Sequence, residues 1–514
     1  MRGGHDREPV PRLGARRGLR QRGHAQRRAR PVPRRRAGHQ RHDLRLPGRQ
    51  PRATVLLTGA SPALFRDVGL RAGDYAEVRV ERARTVDLVW RGDGLESSVT
   101  SRDEGCCARV IGRSGSAFAS STAVDAGPVL RRAVRDAVEL GCAAGRLAAH
   151  RPYRDGDLPG ETGELAETVG LAEKAELLGG YHAAALAAHP GVTGALVYYR
   201  ESVADVELFT SEGTGVAYRR RDLTLQITVY ADGGAARTAG SVSAGSGGDF
   251  SVVRGLAPEV EAAVATAVDL RAAPVVAPGE YDVVCDGPLA GIWAHETIGH
   301  LAEADHHLGD ARLQRSLAPG RRVGPSMLTI VDHPGRPGAR GFVPVDDEGT
   351  AGSAVELLRE GVVTRPRLHD RSTAAAFREE PTGNARALNF RHPPLPRLRT
   401  IAIAPGGASE EEMIGGVARG LLARGVLGGQ TDRAGFTFLP AECREIRDGE
   451  VRGRVRGVVL SGDVLGAFAA IDAIGREQWR GDTSASCGKQ GQNPLPVSSW
   501  APALRLRGIR VTSG

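Results

Sequence analysis

Apolar and polar residues alternate with a period of two along Tyr75-Ala-Glu-Val-Arg-Val-Glu81, and again along Thr85-Val-Asp-Leu-Val-Trp90. Successive side chains of a strand point to opposite faces, so each run predicts a half-buried strand. Cys107-Ala-Arg-Val-Ile-Gly112 reads as a third. From Val129 to Ala149 the spacing becomes helical, with Leu130, Val134, Val138 and Leu140 on or near one face. Residues 164–188, rich in Ala, Leu and Glu, predict a second helix that stops near Pro190-Gly191. Strands follow at 193–200, 204–210 and 215–230, the last clearest in Leu223–Tyr230. The glycine-rich stretch 239–248 reads as a hinge or a substrate-facing loop, and Pro258–Arg271 as a helix.

Pro274 and Pro278 mark a domain boundary. Beyond it, Tyr281–Cys285 is a short apolar strand, and Asp286 caps the helix that follows, with Pro288 in its first turn. Past Gly309 short strands alternate with Gly/Pro turns. Long helices and strands without strict βαβ alternation predict an α+β protein. Its first domain, 60–275, mixes antiparallel strands with long helices. Its second, 279–514, is β-rich and barrel-like and carries the helix after Asp286.

Composition changes this picture only at the start. The formal charge of +9 suggests a nucleic-acid partner, but residues 1–50 alone hold sixteen arginines against three acids, a net of +13. The rest of the chain is therefore mildly acidic, at −4. Residues 1–55 have almost no aliphatic periodicity and should not fold. They read as a misassigned start in a GC-rich gene, in keeping with only two lysines in the chain, or as a solvated tail. A nucleic-acid arm is the third reading; the tail lacks aromatic residues to stack on bases, so no nucleic-acid partner is expected. The longest apolar stretch, Val458 to Ile474, is broken by Asp463 and Asp472, and no membrane span is expected. Six scattered cysteines do not make a disulfide framework, and a reduced, cytoplasmic enzyme is expected.

The candidate chemistry lies in His295-Glu296-Thr297-Ile298-Gly299-His300 and the residues after it. Four histidines and three carboxylates fall within thirteen positions. Imidazole and carboxylate are ligands for a cation such as zinc. The H-E-x-x-H helix of zinc peptidases is similar, but its histidines are four apart and these are five apart. On a regular α-helix five residues place them about 140° apart, too far round to share one ion. A π-type turn, bonded i→i+5, restores one face, so a widened turn is predicted at 295–300, with Gly299 easing the irregular backbone. Spacing leaves the third ligand open among Glu303, Asp305, His306, His307 and the distant Cys487. A thiolate beside Lys489 in a glycine-rich loop would have a lowered pKa.

Five segments of the C-terminal half, in order, resemble the TldD/PmbA family of metallopeptidases. They are Ala294–His300, Asp346-Asp-Glu-Gly-Thr350, Thr382-Gly-Asn-Ala-Arg386, Gly428-Gly-Gln-Thr-Asp432 and Cys487-Gly-Lys-Gln-Gly-Gln492. Asp74–Glu81 is similar to the family's opening strand, so the resemblance spans about 60–514. Thr297, Ala385 and Thr431 depart from the family pattern, and none is a ligand position. The resemblance implies one zinc per chain on His295, His300 and Cys487, with Glu296 as general base. It implies the TldD-like, metal-containing member, either paired with a metal-less PmbA/TldE-like subunit or as a homodimer. The implied substrates are unfolded or extended peptides, leader peptides and small labile proteins.

Other positions carry two readings each. Asp346, Asp347 and Glu348 form a second metal site or a tight turn ending in Gly349. Asn384 and Gln430 bond a substrate backbone or build turns, while Gly428 and Gly429 permit close approach of a peptide. His306, His307 and Arg386 are candidate oxyanion donors, and Arg386 also a candidate contact to substrate. The competing functions are a non-catalytic partner subunit, which an intact Glu296 argues against, and a metal-dependent amidase for small molecules.

Overall fold

The computed structural model describes residues 62–513, apart from 67, 114, 141–144, 154–162, 233–236 and 433–434. The expectations for the Arg-rich tail lie outside the described residues. The first layer is a six-stranded antiparallel sheet of β1 (Tyr75–Arg91), β2 (Gly94–Gly112), β3 (Gly115–Ser121), β4 (Val192–Thr210), β5 (Gly215–Asp232) and β6 (Arg237–Ser246). Its order is β3-β2-β1-β4-β5-β6. The two strands expected at 75–81 and 85–90 are one. Arg82, Ala83 and Arg84, where the alternation falters, stay paired to Glu104, Asp103 and Arg102. The pair expected at 193–200 and 204–210 likewise merges in β4.

The glycine-rich stretch expected as a hinge or loop is instead the edge strand β6, paired with β5 from Arg237 to Ser246. Its small residues suit the close approach of α3 (Ala257–Asp269): a Cβ at Gly240 would lie 1.9 Å from the Ala263 carbonyl oxygen. α1 (Ala126–Glu139) starts earlier and stops sooner than its periodicity suggested. Asp125 caps it, accepting from the Gly127 N–H at 3.0 Å. With α2 (Leu171–Ala187), these helices cover the apolar face of the sheet, α1 over Val78, Val80 and Cys106, the other two over Leu88, Tyr199 and Ile227. β1 is not half-buried at its start: Glu77, Arg79 and Glu81 on its second face are also buried.

The second layer is a branched sheet of thirteen strands around β7 (Gly279–Cys285) and the long strand Ser498–Ser513. These two run antiparallel, with Leu504 opposite Cys285, and β7 runs parallel to Arg419–Arg424. The α+β architecture is as expected, but the sheet does not close: its main path ends at Val362–Val363 on one side and Glu450–Val455 on the other, and no closed barrel is found among the described residues. The short strands that follow Gly309 include edges that never return to pair with one another.

α4 (Gly287–Ala294) lies across this sheet with its residues buried all round, so no amphipathic stripe marks it. Asp286 caps it as expected, accepting from the Leu289 N–H at 3.0 Å. The second carboxylate oxygen of Asp286 accepts from the Gly425 N–H at 2.8 Å, fixing the start of the helix to the end of the neighbouring strand.

Candidate metal centre

α4 runs directly into a π-helical turn, His295–Gly299, closed by the His300 N–H bonding the His295 carbonyl. This is the widened turn that the five-residue spacing called for. Thr297 supports it by donating its hydroxyl back to the Trp293 carbonyl at 2.6 Å, a bond that diverts a carbonyl from the regular ladder. The turn brings the two imidazoles together, with ring centroids 4.9 Å apart and planes at 87°.

Cys487 arrives from the far end of the chain on a two-stranded ribbon, Ser486–Lys489 against Gln492–Pro496. Gln490 and Gly491 form its turn, both at positive φ (49° and 78°), as a two-residue hairpin with right-handed strand twist needs. The Cys487 sulfur lies 3.3 Å from His300 Nε2, and one donor atom each from His295, His300 and Cys487 fall within 4.8 Å of one another.

Charge in this cluster is tightly arranged. Burial pushes the Cys487 thiol up, but His295 and His300 outweigh it and bring the pKa down to about 4. The lowering comes from the imidazoles; Lys489 faces the other way, its ammonium 2.9 Å from Glu303 and 2.7 Å from Asp305. Burial pulls the His300 pKa down, while Glu303 and Cys487 raise it well above the ordinary histidine value. Glu303, fully buried, works against a desolvation cost that would raise its pKa; His300, Lys489 and Arg397 hold it far below the usual carboxylate range. Its Oε2 sits 3.2 Å from His300 Nδ1, which leaves Nε2 toward the thiol. Meanwhile His295 keeps a buried Nδ1 with no hydrogen-bond partner in the structure.

Two imidazoles and a thiolate, one donor atom from each within 4.8 Å, fit a borderline-soft cation, and the donor set suits zinc. The cluster borders a cavity of about 1400 Å³ lined by Glu296, His300, Cys487, Gly429, Gln430 and Asn493 among others. Glu296 is half-buried there, next in sequence to His295.

The remaining candidates divide. Gly429 and Gln430 line the cavity on an edge strand, Gly428–Asp432, that pairs only with Gly435–Leu439 among the described residues. A Cβ at Gly429 would lie 2.6 Å from the Phe438 ring, whereas Gly428 has open space around it. Asn384 is fully buried and spends its amide on Asp332 (3.1 Å) and the Arg397 carbonyl (2.8 Å). Arg386 donates to the Leu398 and Pro496 carbonyls at 2.8 and 2.7 Å. His307 is buried with Nε2 on the Leu301 carbonyl at 2.8 Å, and burial takes its pKa down to about 4. Of the three oxyanion candidates, only His306 faces the cavity.

The Asp346-Asp347-Glu348 triplet is a turn bound up in ion pairs. Asp346 accepts from the Glu348, Thr350 and Ala385 N–H groups, and Gly349 sits at φ 79°. Asp347 meets Arg79, Arg220 and the Tyr218 hydroxyl, and Glu348 meets Arg109 at 2.5 Å. These partners come from the buried second face of the first sheet. Arg340 and Asp222, which hold the loop before Cys487, were not singled out in the sequence; nothing local to either distinguishes it from a surface charge.

A His-His-Cys cluster on a π turn beside an open cavity has the donors that a metal centre needs. The chain belongs to the PmbA/TldD metallopeptidase family: models described as PmbA/TldA metallopeptidase domain 1, central domain and C-terminal domain match residues 76–141, 164–273 and 278–513. It is similar to a protein named a metalloprotease from Synechocystis sp., 33% identical over 85% of this chain and 94% of that one. A protein named a zinc metalloprotease TldD homolog from Saccharolobus solfataricus is 32% identical over 45% of this chain and 52% of its own length. In fold it resembles TldE from Thermococcus kodakarensis, with a TM-score of 0.69, 17% identity and coverage of 85% and 97%. No helix among the described residues is long and apolar enough to cross a membrane.

Proposed function

We propose that this chain is a zinc-dependent peptidase that hydrolyses unfolded or extended peptides, with His295, His300 and Cys487 as metal ligands and Glu296 as general base. The observation that carries this reading is the convergence of three soft-to-borderline donors within 4.8 Å at the wall of the cavity that Glu296 also lines. Zinc, when bound, supplies Lewis acidity and brings the pKa of a water down to about 7. The Glu296 carboxylate takes a proton from the attacking water and delivers it to the departing amine. Glu303 keeps His300 oriented through Nδ1, so that Nε2 remains a donor. The open side of Gly428–Asp432 offers backbone groups along which an extended peptide can lie, with Gln430 beside it.

The same reading takes the chain as the metal-containing member of a TldD/TldE-type pair or as a homodimer, working in the cytoplasm. The TldE fold of a solved relative supports a paired arrangement. Metal content by mass spectrometry tests the site, for the wild type, His300→Ala and Cys487→Ala, each assayed on an unfolded peptide with and without a homologous partner. About one zinc per chain, lost with activity in both variants, is expected. A wild type without metal, alone and paired, would overturn the reading.

A further inference from the structure

We infer that Arg340 is a positioning residue for Cys487, holding the loop that delivers the thiolate to the two imidazoles; this rests on the metal-site reading above. The Arg340 side chain is 1% exposed. Its guanidinium donates to both carboxylate oxygens of Asp222 on β5, at 2.6 and 3.0 Å. The same fork donates to the Thr483 carbonyl (2.8 Å), the Ala485 carbonyl and the Ser486 hydroxyl (3.0 Å). Its backbone N–H bonds the Asp482 carboxylate at 2.8 Å. One residue thus meets four of the five positions that precede Cys487, and only a planar guanidinium offers enough donors for that.

The first sheet completes the grip. The Ser484 N–H donates to Ser243 Oγ at 2.8 Å, and the Ser484 hydroxyl to Gln226 Oε1 at 2.7 Å. The Gly245 N–H bonds the Asp482 carbonyl at 3.0 Å. A Cβ at Gly245 would lie 2.5 Å from the Thr483 oxygen and 2.7 Å from Arg340 Cδ, so the loop sits against bare backbone there. These contacts matter because the Cys487 ribbon pairs with no strand of the large sheet among the described residues. Main-sheet register therefore does not place the sulfur. The loop 482–486, anchored to β5 through Arg340 and to β6 through Ser243 and Gly245, does so instead. A thiolate–zinc bond of about 2.3 Å tolerates little drift in that anchor. The first sheet thereby sets metal affinity from a distance, through a contact that includes none of the three donors.

Cobalt(II), a spectroscopic substitute for zinc, tests this in the full-length protein, since its thiolate charge-transfer absorption reports the Cys487–metal bond. Affinity, that band and thermal melting are compared for wild type, Asp222→Ala, Arg340→Gln, Arg340→Lys and Ser243→Ala. Asp222→Ala and Arg340→Gln are expected to bind cobalt about 10–100-fold more weakly, the range for groups that orient ligands. At saturating cobalt their thiolate band is expected to be diminished, with partial recovery in Arg340→Lys. A change in melting temperature with affinity and band intact would make Arg340 merely structural and overturn the inference. If Arg340→Gln does not fold, Asp222→Ala and Ser243→Ala, on the other side of the contact, decide it by the same readouts. Absence of the band in the wild type overturns the metal site and this inference with it, whereas a wild-type band matched by every variant overturns the inference alone.

Discussion

The run His295–His307 and the triplet Asp346-Asp347-Glu348 look alike along the chain: both crowd ligand-type side chains into a few positions, and both read as possible metal sites. In the fold they differ in what is left over. Every carboxylate of the triplet is engaged, Asp346 by three backbone N–H groups, Asp347 by two arginines and a tyrosine, Glu348 by Arg109. In the histidine run the engaged groups lie one step back: Glu303 and Asp305 take Lys489, and Glu303 takes His300 Nδ1. The donors in front of them, on His295, His300 and Cys487, face one another with His295 Nδ1 still unpartnered. Ligand density alone does not single out a candidate metal site; unspent donor capacity beside a cavity does.

The comparison breaks most sharply at Glu296. Glu296→Gln keeps the shape and removes the base, so peptide hydrolysis should fall by about 10²–10⁴-fold. Metal content should not change, because Glu296 lies outside the donor cluster. An active Glu296→Gln protein, assayed under single-turnover conditions, would remove the proton-transfer role. Asp347→Ala should do the reverse. It strands the buried Arg79, and breaking such a pair costs about 3–5 kcal/mol, read as a lower midpoint in denaturant unfolding. Zinc content of the remaining folded protein should stay at the wild-type level. Loss of metal without loss of stability would return the triplet to the list of metal sites.

A pH dependence sharpens the structural side. Burial, with Glu348 nearby, raises the Asp370 pKa to about 6. The folded state then keeps a proton that the unfolded chain gives up near pH 4. Stability from this group is therefore present below about pH 4 and is lost as pH rises to about 6. A shift of this size corresponds to roughly 2–3 kcal/mol. Asp370→Asn still offers an oxygen to the Thr373 N–H and hydroxyl, both 2.7 Å away, and does not titrate. Between pH 4 and 6 the stability of wild type relative to this variant should decline. Parallel unfolding curves across that range would show that Asp370 titrates normally.

Much of the centre was legible because its information is local. A five-residue separation demands a π turn if the histidines are to meet, and the turn is there. Asp286 followed by Pro288 announces a helix start, and Asp286 caps it. Residues whose partners lie hundreds of positions away were not legible. Glu77, Arg79 and Glu81 alternate with apolar residues, which on a lone sheet means a solvated face; here that face is buried, with Asp347 and Glu348 pairing its arginines Arg79 and Arg109 and with Arg109 and Arg220 pairing Glu77 and Glu81. Lys489 sits two residues from the thiol, yet its partners are Glu303 and Asp305. The glycine-rich stretch 239–248 has Val242 as its one β-branched residue, a weak strand signal, and it is an edge strand because α3 and the Cys487 loop need bare backbone against it. Charge and small size do not reveal burial when the burying partner is remote in sequence.

Asn384 and Gln430 carry the same comparison at the smallest scale, since both entered as amides able to hold a substrate backbone. Asn384 is fully buried, and its amide joins Asp332, the Arg397 carbonyl and the Thr382 hydroxyl. Removing it leaves buried groups unpaired, so Asn384→Ala should cost about 1–3 kcal/mol of stability. The folded fraction should keep its KM. Gln430 is exposed at the cavity wall. Gln430→Ala should change stability by less than about 0.5 kcal/mol, as surface substitutions usually do. If it bonds the peptide backbone in ground and transition states alike, the loss is one neutral hydrogen bond of about 0.5–1.5 kcal/mol. That appears as a rise in KM of about 2- to 10-fold with kcat unchanged. A fall in kcat instead would mean that the Gln430 contact forms only as the peptide bond breaks. In that case the open edge at 428–432 aligns the reacting carbonyl as well as gripping the chain.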